Sequence, residues 1–123
     1  MCLLDVEASL EHFCQNKAQY VDTIAIVVEP NFKSLETGRR MIGLARQLEP
    51  SRLVLVANKV RDDAGREAVE RLGAAEAVEV AGVVPHDASM LEADLAGSAL
   101  LDFAPASPSV AAIDRLAAEL VAI

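Results

Sequence analysis

Cysteines, aromatic residues and long apolar runs are scarce in this sequence of 123 residues. Its two cysteines, Cys2 and Cys14, stand in no Cys-x-x-Cys or Cys/His spacing. We therefore expect free thiols in a reducing, cytoplasmic setting, and no zinc site. No apolar run approaches the roughly 20 residues of a membrane-spanning helix, and the N-terminus has no signal-peptide pattern. The sequence thus predicts a soluble protein that does not insert into a membrane.

Basic residues are few relative to acidic ones. The chain has 11 Lys and Arg against 19 Asp and Glu, which gives a net charge of −8 and a pI near 4.6. Proteins that bind nucleic acids or anionic membranes use clustered basic side chains. The charge balance therefore argues against a nucleic-acid partner and against a membrane-surface partner.

Apolar residues are abundant, at 53% of the chain, which is enough for one compact domain over residues 1–123. Three apolar runs are rich in β-branched residues: 22–28, 52–57 and 77–84. A continuous run of this kind is typical of a strand that is covered on both faces of a parallel sheet. We predict three such strands, and a fourth at the apolar run 1–4.

Helical patterns lie between and after these strands. Each begins at a capping residue, and the first two end at a helix breaker: Ser34 to Pro50, Asp62 or Asp63 to Gly73, and Ser107 with Pro108 at the first helical position. Strands that alternate with helices predict parallel strands joined by crossover helices. The predicted fold class is therefore α/β, a three-layer Rossmann-like domain with a mainly parallel sheet.

Ligands of such folds bind at the carboxyl ends of the strands. Polar residues follow each predicted strand at that edge: Asp5 and Glu7; Glu29, Pro30 and Asn31; Asn58 and Lys59; Pro85, His86 and Asp87. Part of this polarity is forced, because any strand end that reaches solvent turns polar. These positions define a candidate site without identifying its ligand.

The segment Asn58-Lys59 carries more specific information. P-loop nucleotide-binding proteins hold a purine with an Asn at a strand end, which pairs with N6 and N7, and a following Lys whose stem packs on the ring. GTP-specific proteins have an Asp two residues after the Lys to accept from guanine, but here that residue is Arg61, which can only donate. If a purine binds, this residue favours adenine. The alternative is a simple turn at Asn58 and a solvated charge at Lys59.

Four stretches follow one another in a characteristic order: DVEASLEHF, VDTIAIVVEPNFKSLETGRRMIGLARQL, ANKVR and AGVVPHDASMLEADLAGSALLDFAPASPSVAAIDRLAAEL. In this order they resemble the C-terminal half of the MinD/ParA-type P-loop ATPases, and the resemblance covers essentially the whole chain. More narrowly, the stretches DVEASLEHF and VEPNFKSLETGRR resemble the ATPases that mature carbon monoxide dehydrogenase by assisting nickel insertion.

The resemblance implies roles for the residues at matching positions. Asp5 corresponds to the acid that holds the Mg²⁺ of bound ATP through water, and Glu7 to Ser9 begin the segment that senses the γ-phosphate. The family usually has Gly where this chain has Ser9, which puts that sensing role in doubt. The implied cofactors are ATP or ADP and Mg²⁺. The implied adenine-binding residues are Asn58, Lys59, Pro85, His86 and Asp87.

No glycine-rich loop with a following Lys-Ser/Thr, the P-loop of the family, occurs in this sequence. That loop supplies the backbone N–H groups, the Lys and the hydroxyl that hold phosphates and Mg²⁺. We therefore expect the chain alone neither to hydrolyse ATP nor to bind it tightly. In the family the P-loop strand lies between the strands equivalent to 1–4 and 22–28. The fold is thus expected to be incomplete, with open strand edges.

Three arrangements would close these edges. Strand 1–4 pairs with strand 22–28, a second copy of the chain fills the gap as a homodimer or strand-exchanged oligomer, or a polypeptide bearing the P-loop half does. The expected function is that of the adenine-nucleotide-binding half of an ATPase, with a metalloenzyme as the implied client. The alternative is a degenerate, non-catalytic relic that serves as a protein-binding or assembly module.

Overall fold

The computed structural model describes residues 2–6 and 21–121. Strands and helices alternate along the chain: β1 (Thr23–Val28), α1 (Phe32–Arg46), β2 (Arg52–Val60), α2 (Asp63–Glu76) and β3 (Glu79–Pro85). Three further helices follow: α3 (Ala88–Leu95), the short α4 (Leu100–Phe103) and α5 (Pro108–Val121). This order of elements confirms the predicted α/β class.

The described strands form one parallel sheet in the order β1-β2-β3. β1 pairs with β2 without interruption, from Thr23 opposite Arg52 to Val28 opposite Ala57. β2 pairs with β3 as far as Val60 opposite Pro85, but with two shifts of register. The strands predicted over 22–28, 52–57 and 77–84 are confirmed, and β2 extends beyond its predicted end because it rejoins β3 after a bulge.

The larger part of the core lies between the sheet and the helices α1 and α2. On this face β1 contributes Ile24, Ile26 and Val28, each at most 8% exposed. Ile42 of α1 and Val69 of α2 are fully buried against them. Burial of each such side chain stabilises the fold by about 1.5–3 kcal/mol, so this face fixes α1 and α2 on the sheet.

Helix α5 packs on the opposite face of the sheet, mainly over β3. Val56 and Val84 of the sheet form a second, smaller cluster with Ala112 and Leu116 of the helix. Gly82 allows this close approach, because a Cβ at that position would lie 3.0 Å from Leu116 Cδ1. Helices on both faces of the sheet give the three layers that the sequence predicts.

Both ends of α5 are fixed by side-chain hydrogen bonds. At its start, Ser107 Oγ accepts from Val110 N at 3.2 Å, which confirms the predicted cap, and Pro108 is the first helical residue. Near its end, Arg52 Nη1 donates to the Glu119 carbonyl oxygen at 3.1 Å and Arg52 Nη2 to the Glu119 carboxylate at 2.9 Å. The last turn of α5 is thereby tied to the first residue of β2.

The described residues cover only one face of β1, which corrects the prediction that both faces are buried. Its side chains alternate between buried and exposed, and Val27 is 57% exposed on the same outer face as Ala25. The reason is that α5 lies mainly over β3 and leaves this face open. β1 is also the terminal strand of the described sheet, so its outer backbone edge has no partner within residues 2–6 and 21–121.

Residues 2–6 are exposed and form no strand, which corrects the strand expected over 1–4. The inward pairing of that strand with β1 is therefore not found in the described residues, and Met1 lies outside them. Residues 2–6 pair with no strand of the described sheet, although the outer edge of β1 has no partner among the described residues. Cys2 is an exposed free thiol. Over the described ranges, no helix has the length and apolarity to cross a membrane.

Helix α1 begins earlier than predicted, because its N-cap is Asn31 and not Ser34. The Asn31 side chain accepts a hydrogen bond from Ser34 N at 2.9 Å. Ser34 Oγ accepts instead from Glu29 N at 2.8 Å. Both polar side chains thus stabilise one turn between β1 and α1.

Helix α2 begins as predicted and ends later. Asp62 is its N-cap, and the carboxylate accepts from Gly65 N at 2.8 Å. The helix passes through Gly73, its predicted end, and stops at Glu76. Gly73 serves packing here, because a Cβ would lie 2.6 Å from the Val78 carbonyl oxygen.

Two glycines of α1 differ in the space around them, which tests the packing of this helix on β1. A Cβ at Gly38 would lie 2.5 Å from Val28 Cγ1. Gly38→Ala should therefore destabilise the fold by about 1–3 kcal/mol through overpacking. Gly43 is exposed with nothing within 4 Å, so Gly43→Ala should stabilise it by about 0.5–1 kcal/mol. Urea denaturation measures both, and effects of the same sign would contradict this packing.

Candidate functional site

An open cleft of about 1060 Å³ lies at the carboxyl ends of the described strands. The loops after β1, β2 and β3 form its wall together with the first two turns of α2, the helix α3 and the segment from α3 to the start of α4. Parallel strands place their carboxyl ends at one edge, which is why these three loops meet. The residues that line the cleft are Glu29, Pro30, Asn31, Lys59, Arg61, Asp62, Ala64, Gly65, Ala68, His86, Asp87, Met90, Leu91, Ala93, Asp94, Ser98 and Leu100.

The end of β2 is bulged at Asn58 and Lys59. The pairing with β3 shifts between Ala57 and Val60, and Lys59 adopts a φ of 54°, in the left-handed region. A bulge turns successive side chains away from strict alternation. As a result Lys59 lines the cleft, whereas Asn58 is half-buried beside it and is not one of the lining residues.

Glu29 connects the ends of β1 and β2, a role that sequence reasoning did not assign. Its carboxylate lies 2.9 Å from Lys59 Nζ, and its carbonyl oxygen accepts from Asn31 N at 2.8 Å. Both charged side chains are substantially exposed, so the ion pair contributes about 0–1 kcal/mol to stability. Its main effect is geometric, since it joins two side chains that both line the cleft.

Asp87 joins two helices at the edge of the cleft. One carboxylate oxygen accepts from Ser89 N at 2.9 Å, in the first turn of α3, and the other from Ser109 N at 3.3 Å, in the first turn of α5. The Ser89 N–H, and secondarily the Ser109 N–H, lower the pKa of Asp87 below its usual value. Ser109 Oγ donates to the Pro85 carbonyl oxygen at 3.2 Å. Asp87 and Ser109 therefore fix the loop that follows β3.

His86 and Arg61 meet at the ends of β3 and β2. The His86 backbone N–H donates to the Val60 carbonyl oxygen at 2.9 Å, one step beyond the last paired residues of the two strands. The side chains then meet, with Arg61 Nη2 3.2 Å from His86 Nε2, and both line the cleft. Sequence reasoning used Arg61 only to exclude guanine, and no pattern in the sequence indicated its contact with His86.

The expected magnesium and switch residues are not part of the described cleft. Asp5 is exposed, lies in the non-strand segment 2–6, and is not a lining residue. Glu7 and Ser9, together with His12 and Cys14, lie outside the described residues. Of the predicted site, the structure thus brings together Lys59, His86 and Asp87 around one cavity, with Asn58 and Pro85 directly behind them.

The acidic residues of the described ranges do not form a metal site. No group of three or more His, Cys, Asp or Glu side chains within them could hold a metal ion. Mg²⁺ requires six oxygen ligands in near-octahedral geometry and is usually held by carboxylates together with substrate phosphates and waters. The described residues alone therefore do not fit a resident Mg²⁺.

Known proteins with related sequences are ATP-binding or accessory proteins. No protein-family model matches the chain. It is 35% identical over 104 residues to the carbon monoxide dehydrogenase accessory protein CooC of Rhodospirillum rubrum, a match that covers 85% of this chain and 39% of that protein. It is 36% identical over 95 residues to an uncharacterized ATP-binding protein of Methanocaldococcus jannaschii, with 77% and 37% covered. The chain thus spans less than two fifths of these relatives.

A solved structure shows the same fold. The MinD cell division protein of Aquifex aeolicus matches with a TM-score of 0.71 and 22% sequence identity. The match covers 86% of this chain and 46% of the MinD chain. The likeness therefore concerns the arrangement of strands and helices, and again only part of the larger protein.

The double hydrogen bond of Asp87 predicts a pH-dependent contribution to stability. Because the folded-state pKa is lowered, this contribution is complete above the ordinary Asp pKa of about 3.9 and is lost as the pH falls through the lower folded-state value. Asp87→Asn keeps one acceptor oxygen in place of two. It should lower the free energy of unfolding at neutral pH, and the difference from the wild type should shrink in acid.

Urea denaturation at a series of pH values measures this difference. Asp114→Asn, at an exposed position of α5, is the matched control and should follow the wild type at each pH. A difference between Asp87→Asn and wild type that stays constant down to the most acidic pH would contradict the role of the charge.

Proposed function

The chain is a MinD/ParA-like segment that corresponds to the C-terminal part of these ATPases, and from this premise we propose that its cleft is the adenine side of a nucleotide-binding site. The observation that carries the proposal is the meeting of Lys59, His86 and Asp87 at one edge of a parallel sheet. This edge is where open α/β sheets bind their ligands.

The adenine ring fits the cleft on chemical grounds. Asn58, Lys59, Pro85, His86 and Asp87 are the residues we assign to it. The Lys59 stem provides an apolar surface for stacking. Asn58 is half-buried beside the lining residues, and its amide would turn toward the cleft to donate to N7 and accept from N6. The rigid Pro85–Asp87 loop closes the other side, since both carboxylate oxygens of Asp87 are already used by backbone N–H groups.

The phosphate side of the site requires groups that this sequence does not contain. Backbone N–H groups of a P-loop, its Lys and its hydroxyl would hold the phosphates of ATP or ADP. In this chain we assign Asp5 as the acid that holds, through water, a Mg²⁺ carried by the nucleotide. We assign Glu7 and Ser9 to the start of the segment that senses the γ-phosphate. The chain alone is then a weak nucleotide binder without ATPase activity.

The outer edge of β1 is the place where we propose that a P-loop-bearing segment docks. The outer backbone groups of β1 have no partner among the described residues, and Val27, on the outer face of the same strand, is 57% exposed. An added parallel strand would satisfy those backbone groups, and its own side chains on that face would pack beside Val27 and Ala25. A second copy of this chain could cover the same edge but would bring no P-loop.

For the complete protein we propose a role in the maturation of a metalloenzyme of the carbon monoxide dehydrogenase type, by nickel insertion in the cytoplasm. Support comes from the 35% identity to the accessory protein of Rhodospirillum rubrum. The second candidate function is a non-catalytic assembly module that binds another protein. The open apolar edge of β1 favours it, because such an edge is a ready binding surface.

Mixing this chain with a polypeptide that carries the P-loop half of a MinD-like relative tests the proposed function. We expect no ATP turnover by the chain alone, because it lacks the phosphate-binding loop, and measurable turnover by the mixture. Release of inorganic phosphate from Mg·ATP is the readout.

Two matched variants separate the ATPase half from the assembly module. Val27→Glu places a charge on the outer face of β1 and should abolish the turnover of the mixture, whereas Leu101→Glu, at an exposed position of α4, should not. Turnover that survives Val27→Glu would refute docking at this edge. Binding of the P-loop polypeptide without any turnover would favour the assembly module.

A further inference from the structure

We propose that His86 is a positioning residue that aims the guanidinium group of Arg61 into the cleft, so that Arg61 selects adenine over guanine. The inference rests on the proposed function, since it concerns the same cleft. It adds a mechanism to that function. The selectivity depends on His86, after β3, which acts through Arg61, after β2.

The backbone brings the two side chains together. Val60 and Pro85 are the last paired residues of β2 and β3, and the His86 N–H donates to Val60 O at 2.9 Å. Arg61 and His86 directly follow these two residues, so they lie side by side at the carboxyl edge of the sheet. The 3.2 Å contact between Arg61 Nη2 and His86 Nε2 follows from this ladder and from the register that the bulge in β2 sets.

The contact defines the state of the imidazole. A guanidinium group only donates hydrogen bonds, so Nε2 of His86 must be the acceptor. In this contact Nε2 carries no proton, and the ring proton lies on Nδ1. In this state His86 fixes one N–H of Arg61 and leaves the other guanidinium donors available to the cleft.

No carboxylate of the described residues competes for Arg61. Glu29 is paired with Lys59, Asp62 accepts from Gly65 N, and Asp87 accepts from Ser89 N and Ser109 N. Arg61 itself belongs to none of the salt bridges found within residues 2–6 and 21–121. Among the described residues, which include the cleft-lining Asp94, His86 is the side chain that contacts the Arg61 guanidinium group.

The aimed guanidinium group distinguishes the two purines by their N1 edges. In the proposed pose the Asn58 amide pairs with N6 and N7, and Arg61 takes the position at which GTP-specific proteins have the Asp that accepts from guanine. Adenine N1 is an acceptor and can take a hydrogen bond from Arg61. Guanine carries hydrogens on N1 and N2, which a donor-only side chain cannot satisfy, so that its desolvated N–H groups remain unpaired.

Equilibrium dialysis of the chain with adenosine and with guanosine measures this selectivity without the phosphates. The wild type should bind adenosine about tenfold more tightly than guanosine, the ratio for one hydrogen bond made or left unsatisfied. Arg61→Ala should reduce the ratio to about one. His86→Leu, which has no acceptor, should do the same although Arg61 remains.

Two further variants complete the design. His86→Asn supplies an amide oxygen as acceptor and should restore most of the ratio, which a purely structural role of the ring would not predict. Arg66→Ala removes an arginine of α2 that pairs with Glu70 and does not line the cleft, and should leave the ratio unchanged. An unchanged ratio in His86→Leu would overturn the positioning role.

The tautomer of His86 gives an independent test that needs no ligand. Imidazole ¹⁵N chemical shifts of the wild type at neutral pH should show an unprotonated Nε2, and Arg61→Ala should move the ring toward a mixture of tautomers. A proton on Nε2 in the wild type would overturn the inference. Failure of both nucleosides to bind would overturn the proposed function and the selectivity with it, whereas equal binding of both would overturn the selectivity alone.

Discussion

The arrangement of the cleft depends on the two hydrogen bonds that the Asp87 carboxylate accepts from backbone N–H groups. This carboxylate satisfies backbone N–H groups at the starts of two helices, α3 and α5, from a single position directly after β3. Helix N-termini carry unsatisfied donors and partial positive charge, so the half-buried Asp87 carboxylate stabilises both helices. Because α5 is tied at its other end to Arg52, the helix, the loop and the sheet edge form one rigid unit.

This unit explains why the site lies where it does. The loop after β3 is fixed by Asp87, the end of β2 is bulged and held by the pair Lys59 and Glu29, and the parallel sheet brings both ends to the same edge. Polar side chains at this edge accept hydrogen bonds from backbone N–H groups or line the cleft. Among the described residues the outer edge of β1 has no partner, and a further strand would extend the sheet on that side.

Much of the fold could be predicted from the sequence because local chemistry determines it. The β-branched runs gave the three strands, and Asp62 and Ser107 were recognisable as caps. The bare outer face of β1 could not be predicted, because exposure depends on which helix covers a strand and not on the strand itself. The contact between Arg61 and His86 also could not be predicted from the sequence. It depends on the register of β2 against β3 and on the bulge that sets this register. The segment 1–4 was misjudged as a strand because an apolar run does not show whether its backbone pairs with a neighbouring strand.

The most direct measurement of the central claim is a map of backbone amide chemical shifts on addition of ADP to the isotopically labelled chain. If the cleft holds the adenine, millimolar ADP will shift the amides of residues 29, 31, 58–65 and 86–91 and leave those of Ala25 and Val27 in β1 unchanged. Shifts confined to other surfaces, or none at all, would contradict the account.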